Sequence, residues 1–175
     1  NDFIMTNGGQ HLRLQNSDIS DWRIRFVDTG LRSNIGERLK AVEPYLEDED
    51  IFLANYSDGL TDAYLPDMID NLRKSKKIAS CICVRPSQSF HVVQMSESGM
   101  IQNIQYVRDT NLIINGGYFV FRKEIFDYIR SGEELVIEPF QRLINEGQLI
   151  GYRYDSFWCM DTFKEHQELN DMHDP

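Results

Sequence analysis

The 175-residue chain has no run of about 18 consecutive apolar residues, so no stretch of it reads as a membrane-spanning helix. Cysteine is scarce, with only Cys81, Cys83 and Cys159 present. No second cysteine pair exists to complete a zinc site, and the four histidines show no ligand spacing. The expectation is three reduced, mostly buried thiols in a cytoplasmic protein, with Cys81 and Cys83 on one face of a strand. Positive charge is also short: 18 Lys and Arg stand against 28 Asp and Glu, a net charge of −10. That balance argues against nucleic acid or an anionic membrane as partner. It leaves room for an anionic small molecule in a local basic pocket. The opening Asn1-Asp2-Phe3-Ile4-Met5 has the character of neither a signal nor a transit peptide. There is no internal repeat, no low-complexity segment, no Gly-x-Gly-x-x-Gly and no Walker loop.

What is present is an ordinary globular balance, 41% hydrophobic and 26% charged. The length suits one domain over residues 1–175, large enough to bury roughly two-thirds of its unfolded surface. Phe3–Thr6 and His11–Leu14 read as a hairpin around Asn7-Gly8-Gly9. Arg23–Val27 reads as a strand, and Asn34 to Leu46 as a helix with Asn34 and Glu37 as a capping box. Ile51–Tyr56 suits a strand buried on both faces. Leu65, Met68, Ile69 and Leu72 mark a helix, and Ile78–Val84 a second buried strand. Phe90–Met95 and Met100–Val107 pair across Glu97-Ser98-Gly99. Leu112–Phe121 is apolar but interrupted by Asn115-Gly116-Gly117. Helices follow at Lys123–Arg130 and Glu138–Glu146, then a strand at Gln148–Tyr154 and a terminal helix at Thr162–Met172. The alternation gives an α/β class with a largely parallel central sheet. The acidic stretch Glu47-Asp48-Glu49-Asp50 reads as a solvated loop.

Several residues could carry chemistry. Asp58 follows a buried strand and precedes a glycine, a position that suits a magnesium ligand or a turn-stabilising aspartate. Asp161 precedes the terminal helix, where Thr162 and Glu165 already form the pattern Thr-x-x-Glu. Asp161 is thus either part of the helix start or a free carboxylate outside it. Asn115-Gly116-Gly117 is either a structural bulge or a ligand platform. Ser33 and Arg38 frame a helix start that favours anions; Arg38 also reads as an ordinary exposed arginine.

Five motifs occur in order: Val27-Asp28-Thr29-Gly30, Gly36-Glu37-Arg38-Leu39-Lys40, Tyr56-Ser57-Asp58-Gly59, Ile114-Asn115-Gly116-Gly117-Tyr118-Phe119-Val120, and Phe157-Trp158 with Met160-Asp161-Thr162. This ordered set resembles the sugar-1-phosphate nucleotidyltransferases, and most closely the glucose-1-phosphate cytidylyltransferases. The resemblance implies a Rossmann-like nucleotide-diphospho-sugar transferase fold, a mostly parallel mixed sheet flanked by helices. It implies transfer of a nucleotidyl group from CTP to glucose 1-phosphate, with release of pyrophosphate. It also implies Mg²⁺ held by Asp58 and Asp161, and a nucleotide pocket lined by Ser33, Arg38 and Ser57. The sugar phosphate would lie against Asn115, Gly116 and Gly117. Assembly into homo-oligomers is a further implication.

Three departures accompany the resemblance. The family's opening strand and its Gly-Gly-x-Gly-Thr-Arg loop are absent from these residues, so the chain corresponds to the last two-thirds of such an enzyme, without the first βα unit. Arg108 stands where the family has a lysine ahead of the Asn-Gly-Gly, and it is assigned the sugar-phosphate contact. Trp158 and Met160 are one residue apart, where the family has two between them. Two other functions compete. One is a non-catalytic sugar-nucleotide-binding relative, or an inactive fragment. The other is a metal-dependent glycosyltransferase, which ranks last because Ser57-Asp58-Gly59 lacks an Asp-x-Asp pair.

Overall fold

The computed structural model describes residues 3–15, 21–46, 48–87 and 90–173. Its elements in chain order are β1 (Phe3–Thr6), β2 (His11–Leu14), α1 (Ile35–Val42), β3 (Ile51–Asn55), β4 (Gly59–Leu60), α2 (Leu65–Ser75) and β5 (Ala79–Val84). Then come β6 (His91–Met95), β7 (Ile101–Tyr106), β8 (Ile114–Arg122), α3 (Glu138–Asn145), β9 (Leu149–Arg153), β10 (Trp158–Cys159) and α4 (Phe163–His173).

The central sheet has the order β3-β8-β5-β9. β8 is antiparallel to both β3 and β5, while β5 and β9 are parallel. Three strands therefore share one direction and β8 runs against them. The sheet is mixed and not largely parallel as the strand–helix alternation suggested, because the insertion of β8 makes two of its three ladders antiparallel.

β8 is the strand around which the core forms. Its alternation sends Phe119 and Phe121 to one face and Val120 to the other. On the first face Phe52, Phe119, Phe121, Phe126 and Phe140 pack as an aromatic cluster, with the Phe119 and Phe121 rings stacked at 5.4 Å. α3 covers that face with Phe140 and Leu143. Pro139 sits in its first turn, where no amide partner is lost. On the second face α2 presents Met68 and Leu72 against Ile82, Val84 and Val120. Lys76 ends α2 in the left-handed conformation.

Most sequence-derived elements appear with ends shifted by a residue or two. The Asn7-Gly8-Gly9 turn takes positive φ throughout, and the first hairpin is antiparallel. The Asn34–Glu37 capping box is complete, with Glu37 N donating to Asn34 Oδ1 at 2.9 Å. The helix it opens ends at Val42, and a 3₁₀ turn over Glu43–Tyr45 carries Pro44. Lys123–Tyr128 is 3₁₀ rather than α-helical. Asp48, Glu49 and Asp50 are exposed as expected, while Glu47 lies outside the described residues.

Two further expectations are corrected. Arg23–Val27 is not a strand; residues 21–34 have no regular structure before α1. A period-2 pattern supplies an apolar face but no hydrogen-bonding neighbour, and Phe26 and Leu31 stand 91% and 95% exposed. The segment is held instead by Arg25, whose guanidinium lies 4.3 Å from the Tyr45 ring centroid. β3 is also not buried on both faces. It is an edge of the sheet, and Leu53 is 46% exposed. Among the described residues nothing pairs with the outer side of β3.

Candidate active site

Asp58 lies in the turn between β3 and β4. The short β4 pairs antiparallel with β10, placing Gly59 opposite Cys159. Met160 N donates to the Asp58 carbonyl at 2.8 Å. This small ladder carries Asp161 to the end of β3, where it lines a cleft of about 210 Å³ with Asp58, Tyr56, Asn115, Gly116, Gly117 and Phe157. The two carboxylates and the Asn-Gly-Gly segment, far apart in sequence, share one site.

The helix-start question for Asp161 is resolved by α4. Glu165 N donates to Thr162 Oγ1 at 3.2 Å, and Thr162 N donates to Glu165 Oε2 at 2.9 Å. The capping box is closed without Asp161, which stays exposed.

Asn115-Gly116-Gly117 is a bulge in β8. Cys81 pairs with Phe119 and Cys83 with Asn115, so four residue steps on β8 oppose two on β5. Gly117 adopts φ +72°, and its amide donates to Asn115 Oδ1 at 2.9 Å. A Cβ at Gly117 would lie 2.6 Å from Tyr56 Cδ2, and one at Gly116 2.7 Å from Ile82 Cγ2. The glycines thus let the turn close down on Tyr56 and β5. Gly117→Ala is expected to lower stability by about 2 kcal/mol, since an L-residue in the left-handed region costs roughly 1–2 kcal/mol before the Tyr56 contact is counted. The urea midpoint of the variant checks it; an unchanged midpoint would show that the turn relaxes freely.

Gly59 has a packing role in the turn after Asp58. A Cβ there would meet Phe157 Cε2 at 2.9 Å, so the missing side chain accommodates an aromatic ring, and Gly59 also lines the cleft. Tyr118 Oη donates to the Gly59 carbonyl at 2.9 Å and fixes the turn from the other side.

Charge in the cleft is concentrated and negative. Burial pushes the Cys159 thiol up, and the carboxylates of Asp161, Glu165 and Asp58 push it further. Burial likewise raises the Tyr56 phenol, with Glu134 adding to the shift and a hydrogen bond with Asn115 opposing it. A field of this sign favours a cation, and two exposed carboxylates are hard-oxygen donors that fit Mg²⁺. Among the described residues no group of three or more His, Cys, Asp or Glu is placed to hold a metal.

The assigned nucleotide residues divide. Arg38 and Ser57 line a groove of about 630 Å³ between α1 and β3, with Asp58 at one end and Ile35, Leu39, Val42 and Phe119 along it. Ser33 is not among its lining residues. Its hydroxyl donates to the Thr29 carbonyl, and its own carbonyl accepts from Arg38 Nε at 2.9 Å. At the α1 start the capping box uses the Glu37 amide, one of the N–H groups the helix leaves free there. Arg108 is set apart from Asn115, Gly116 and Gly117. It lies over the Tyr106 ring at 4.7 Å and lines a neighbouring cavity of about 500 Å³ with Trp158, Thr162 and Lys164. The two cavities have Cys159 in common. Tyr56 and Phe157 line the cleft and Tyr118 braces its turn, roles that their motifs alone do not reveal; only Tyr118 carries a local signal, a glycine beside an aromatic.

No family model matches the chain. A protein of Bacillus subtilis strain 168 named "Probable glucose-1-phosphate cytidylyltransferase" is 30% identical over 154 residues, covering 86% of this chain and 60% of that protein. The glucose-1-phosphate cytidylyltransferase of Salmonella typhi is 29% identical over 157 residues, covering 88% and 61%. The chain is a relative of the sugar-1-phosphate nucleotidyltransferases. It spans about 60% of the length of these relatives.

Solved structures agree on the fold. A Bacillus anthracis protein assigned as a glucose-1-phosphate thymidylyltransferase, solved with sucrose, superposes with a TM-score of 0.61 at 13% identity, covering 82% of this chain and 62% of that one. The UTP-bound UGPase of Acinetobacter baumannii gives a TM-score of 0.56 at 14% identity, covering 80% and 56%. The nucleotidyltransferase-type α/β architecture implied by the motifs is the one observed. Among the described residues no helix is long and apolar enough to cross a membrane.

Proposed function

We propose that this chain is the larger part of a sugar-1-phosphate cytidylyltransferase. The reaction joins the α-phosphorus of CTP to a phosphate oxygen of glucose 1-phosphate, giving CDP-glucose and pyrophosphate. The observation that carries the reading is the meeting of Asp58 and Asp161 beside the Asn115–Gly117 bulge. The groove between α1 and β3, with Arg38 and Ser57, opens toward the same carboxylate and would take the nucleotide. Bringing two phosphate-bearing substrates together is opposed by several kcal/mol of repulsion even at an effective dielectric of about 20. Mg²⁺, when bound by Asp58 and Asp161, supplies charge neutralisation at the α-phosphate. The turn at Asn115–Gly117 presents backbone to the sugar, while Arg108 lies in the neighbouring cavity. No protein base is needed, because a phosphate monoester is already nucleophilic at neutral pH.

The test is ligand binding by the 175-residue chain. CDP-glucose is expected to raise the thermal midpoint in a concentration-dependent way, as a ligand selective for the folded state must. The rise should need Mg²⁺ and exceed that with UDP-glucose. Equal shifts with both nucleotide-sugars, or no dependence on Mg²⁺, would sink the assignment. The chain by itself is expected to release no pyrophosphate from CTP and glucose 1-phosphate, since these residues contain no Gly-Gly-x-Gly-Thr-Arg loop. The second reading is a binding module without turnover. Pyrophosphate release by a form carrying the loop separates the two.

A further inference from the structure

We propose that Cys81 and Cys83 form a reversible dithiol–disulfide modification site on β5, oxidised by small disulfides that reach Cys83. Alternation along the strand puts both side chains on one face, and their Sγ atoms are 3.8 Å apart. Closing a bond at about 2.05 Å asks the sulfurs to approach by less than about 2 Å.

The surroundings leave room for the pair. On one side β9 passes with Gly151 opposite Cys81, and a Cβ at Gly151 would sit 2.8 Å from Cys83 Sγ. On the other side the β8 ladder is interrupted by the bulge between Phe119 and Asn115, the partners of the two cysteines. Cys81 is 9% exposed, whereas Cys83 is half-buried, so an external reagent meets Cys83 first. The thiols are also inequivalent. The Cys81 thiol as hydrogen-bond partner holds Cys83 below the usual thiol range, against the effect of burial and with help from the Tyr152 backbone. Cys81 is held above that range by Cys83 and by burial. Cys83 is therefore the better attacking group and Cys81 the resolving one.

The chemistry balances with glutathione disulfide as oxidant. Cys83 thiolate attacks one glutathione sulfur, forming a mixed disulfide and releasing one glutathione thiolate. Cys81 then loses its proton to solvent and attacks Cys83 Sγ, releasing the second. Two protein thiols give up two protons and two electrons, and one glutathione disulfide becomes two glutathione molecules. The inference is independent of nucleotidyl transfer, although Cys83 is the cross-strand neighbour of Asn115, so the modified bond would lie beside the bulge that shapes the cleft.

The experiment uses the full chain with Cys159→Ser, leaving two thiols, equilibrated in glutathione buffers with and without urea. The intact mass should fall by two hydrogens, and dithiothreitol should restore both thiols. The closure constant of the folded chain should exceed that of the urea-unfolded chain at least about tenfold, because the fold holds the sulfurs in contact. Gly151→Ala, which crowds Cys83 Sγ, should lower the folded value and leave the unfolded one unchanged. A persistent glutathione adduct, two thiols that stay free, or equal closure constants in the two states would each overturn the proposal. If Gly151→Ala does not fold, Cys81→Ser decides: it should trap glutathione on Cys83, and absence of that adduct overturns the site.

Discussion

Asp58→Asn and Asp161→Asn are each expected to lower nucleotidyl transfer by about 10²–10³-fold in any form of the protein that turns over, in line with the loss of one strong electrostatic contact at a reacting phosphate. Both carboxylates are exposed in the cleft, so the isosteric change opens no cavity and the fold should be unaffected. The loss should appear in kcat and kcat/KM together, with the requirement for Mg²⁺ shifted to higher concentration. The 175-residue chain gives an independent readout, since each variant should abolish the Mg²⁺-dependent part of the thermal shift with CDP-glucose. Unchanged turnover at saturating Mg²⁺ for Asp161→Asn would reduce that residue to a neighbour of the α4 cap. The same result for Asp58→Asn would remove the two-carboxylate site altogether.

Phe121→Ala is expected to destabilise the chain by about 3–5 kcal/mol, the range for removing a buried aromatic from a packed core. Phe121 is fully buried on β8, 5.4 Å from the stacked Phe119 ring and 5.7 Å from Phe52. Its loss opens a hole that rings on β3, β8 and α3 cannot all fill, because each is fixed by its own ladder or helix. Against a total stability of about 5–15 kcal/mol for an ordinary domain, that is a large share. Urea unfolding measures it. Phe26→Ala, at a 91% exposed ring of the same size, is the control and should move stability by less than about 0.5 kcal/mol. A comparable loss at both positions would mean that residues 21–34 pack in solution in a way this fold does not show.

The contrast between Phe121 and Phe26 shows how far sequence reasoning carries. Phe26 sits in an alternating run and Phe121 in an interrupted apolar one, and both runs read as strands. Only the run containing Phe121 finds neighbours on either side, β3 and β5. Pattern is local and ladder pairing is not, so the strand at Arg23–Val27 could be refuted only by the assembled sheet. Leu53 makes the same point in reverse. Its apolar strand suggested burial on both faces, yet burial depends on what lies beyond the edge of the sheet, which the run itself does not contain.

Local chemistry was legible wherever partners lie within a few residues. The Asn34–Glu37 and Thr162–Glu165 caps, the positive-φ turn at Asn7–Gly9, the placement of Pro66 and Pro139 in first helical turns, and the shared face of Cys81 and Cys83 all follow from short-range sterics and hydrogen bonding. The ordered motifs led to the nucleotidyltransferase relatives because the set as a whole is specific where each member is weak. What the tertiary structure alone decided are the long-range meetings. The β4–β10 ladder brings Asp161 to Asp58, the β8 bulge turns Asn115–Gly117 toward Tyr56, and the loop hydrogen bonds withdraw Ser33 while leaving Arg38 and Ser57 along the groove. Those meetings depend on strand order and register, which are set by how the two faces of β8 pack and are not written in any single segment.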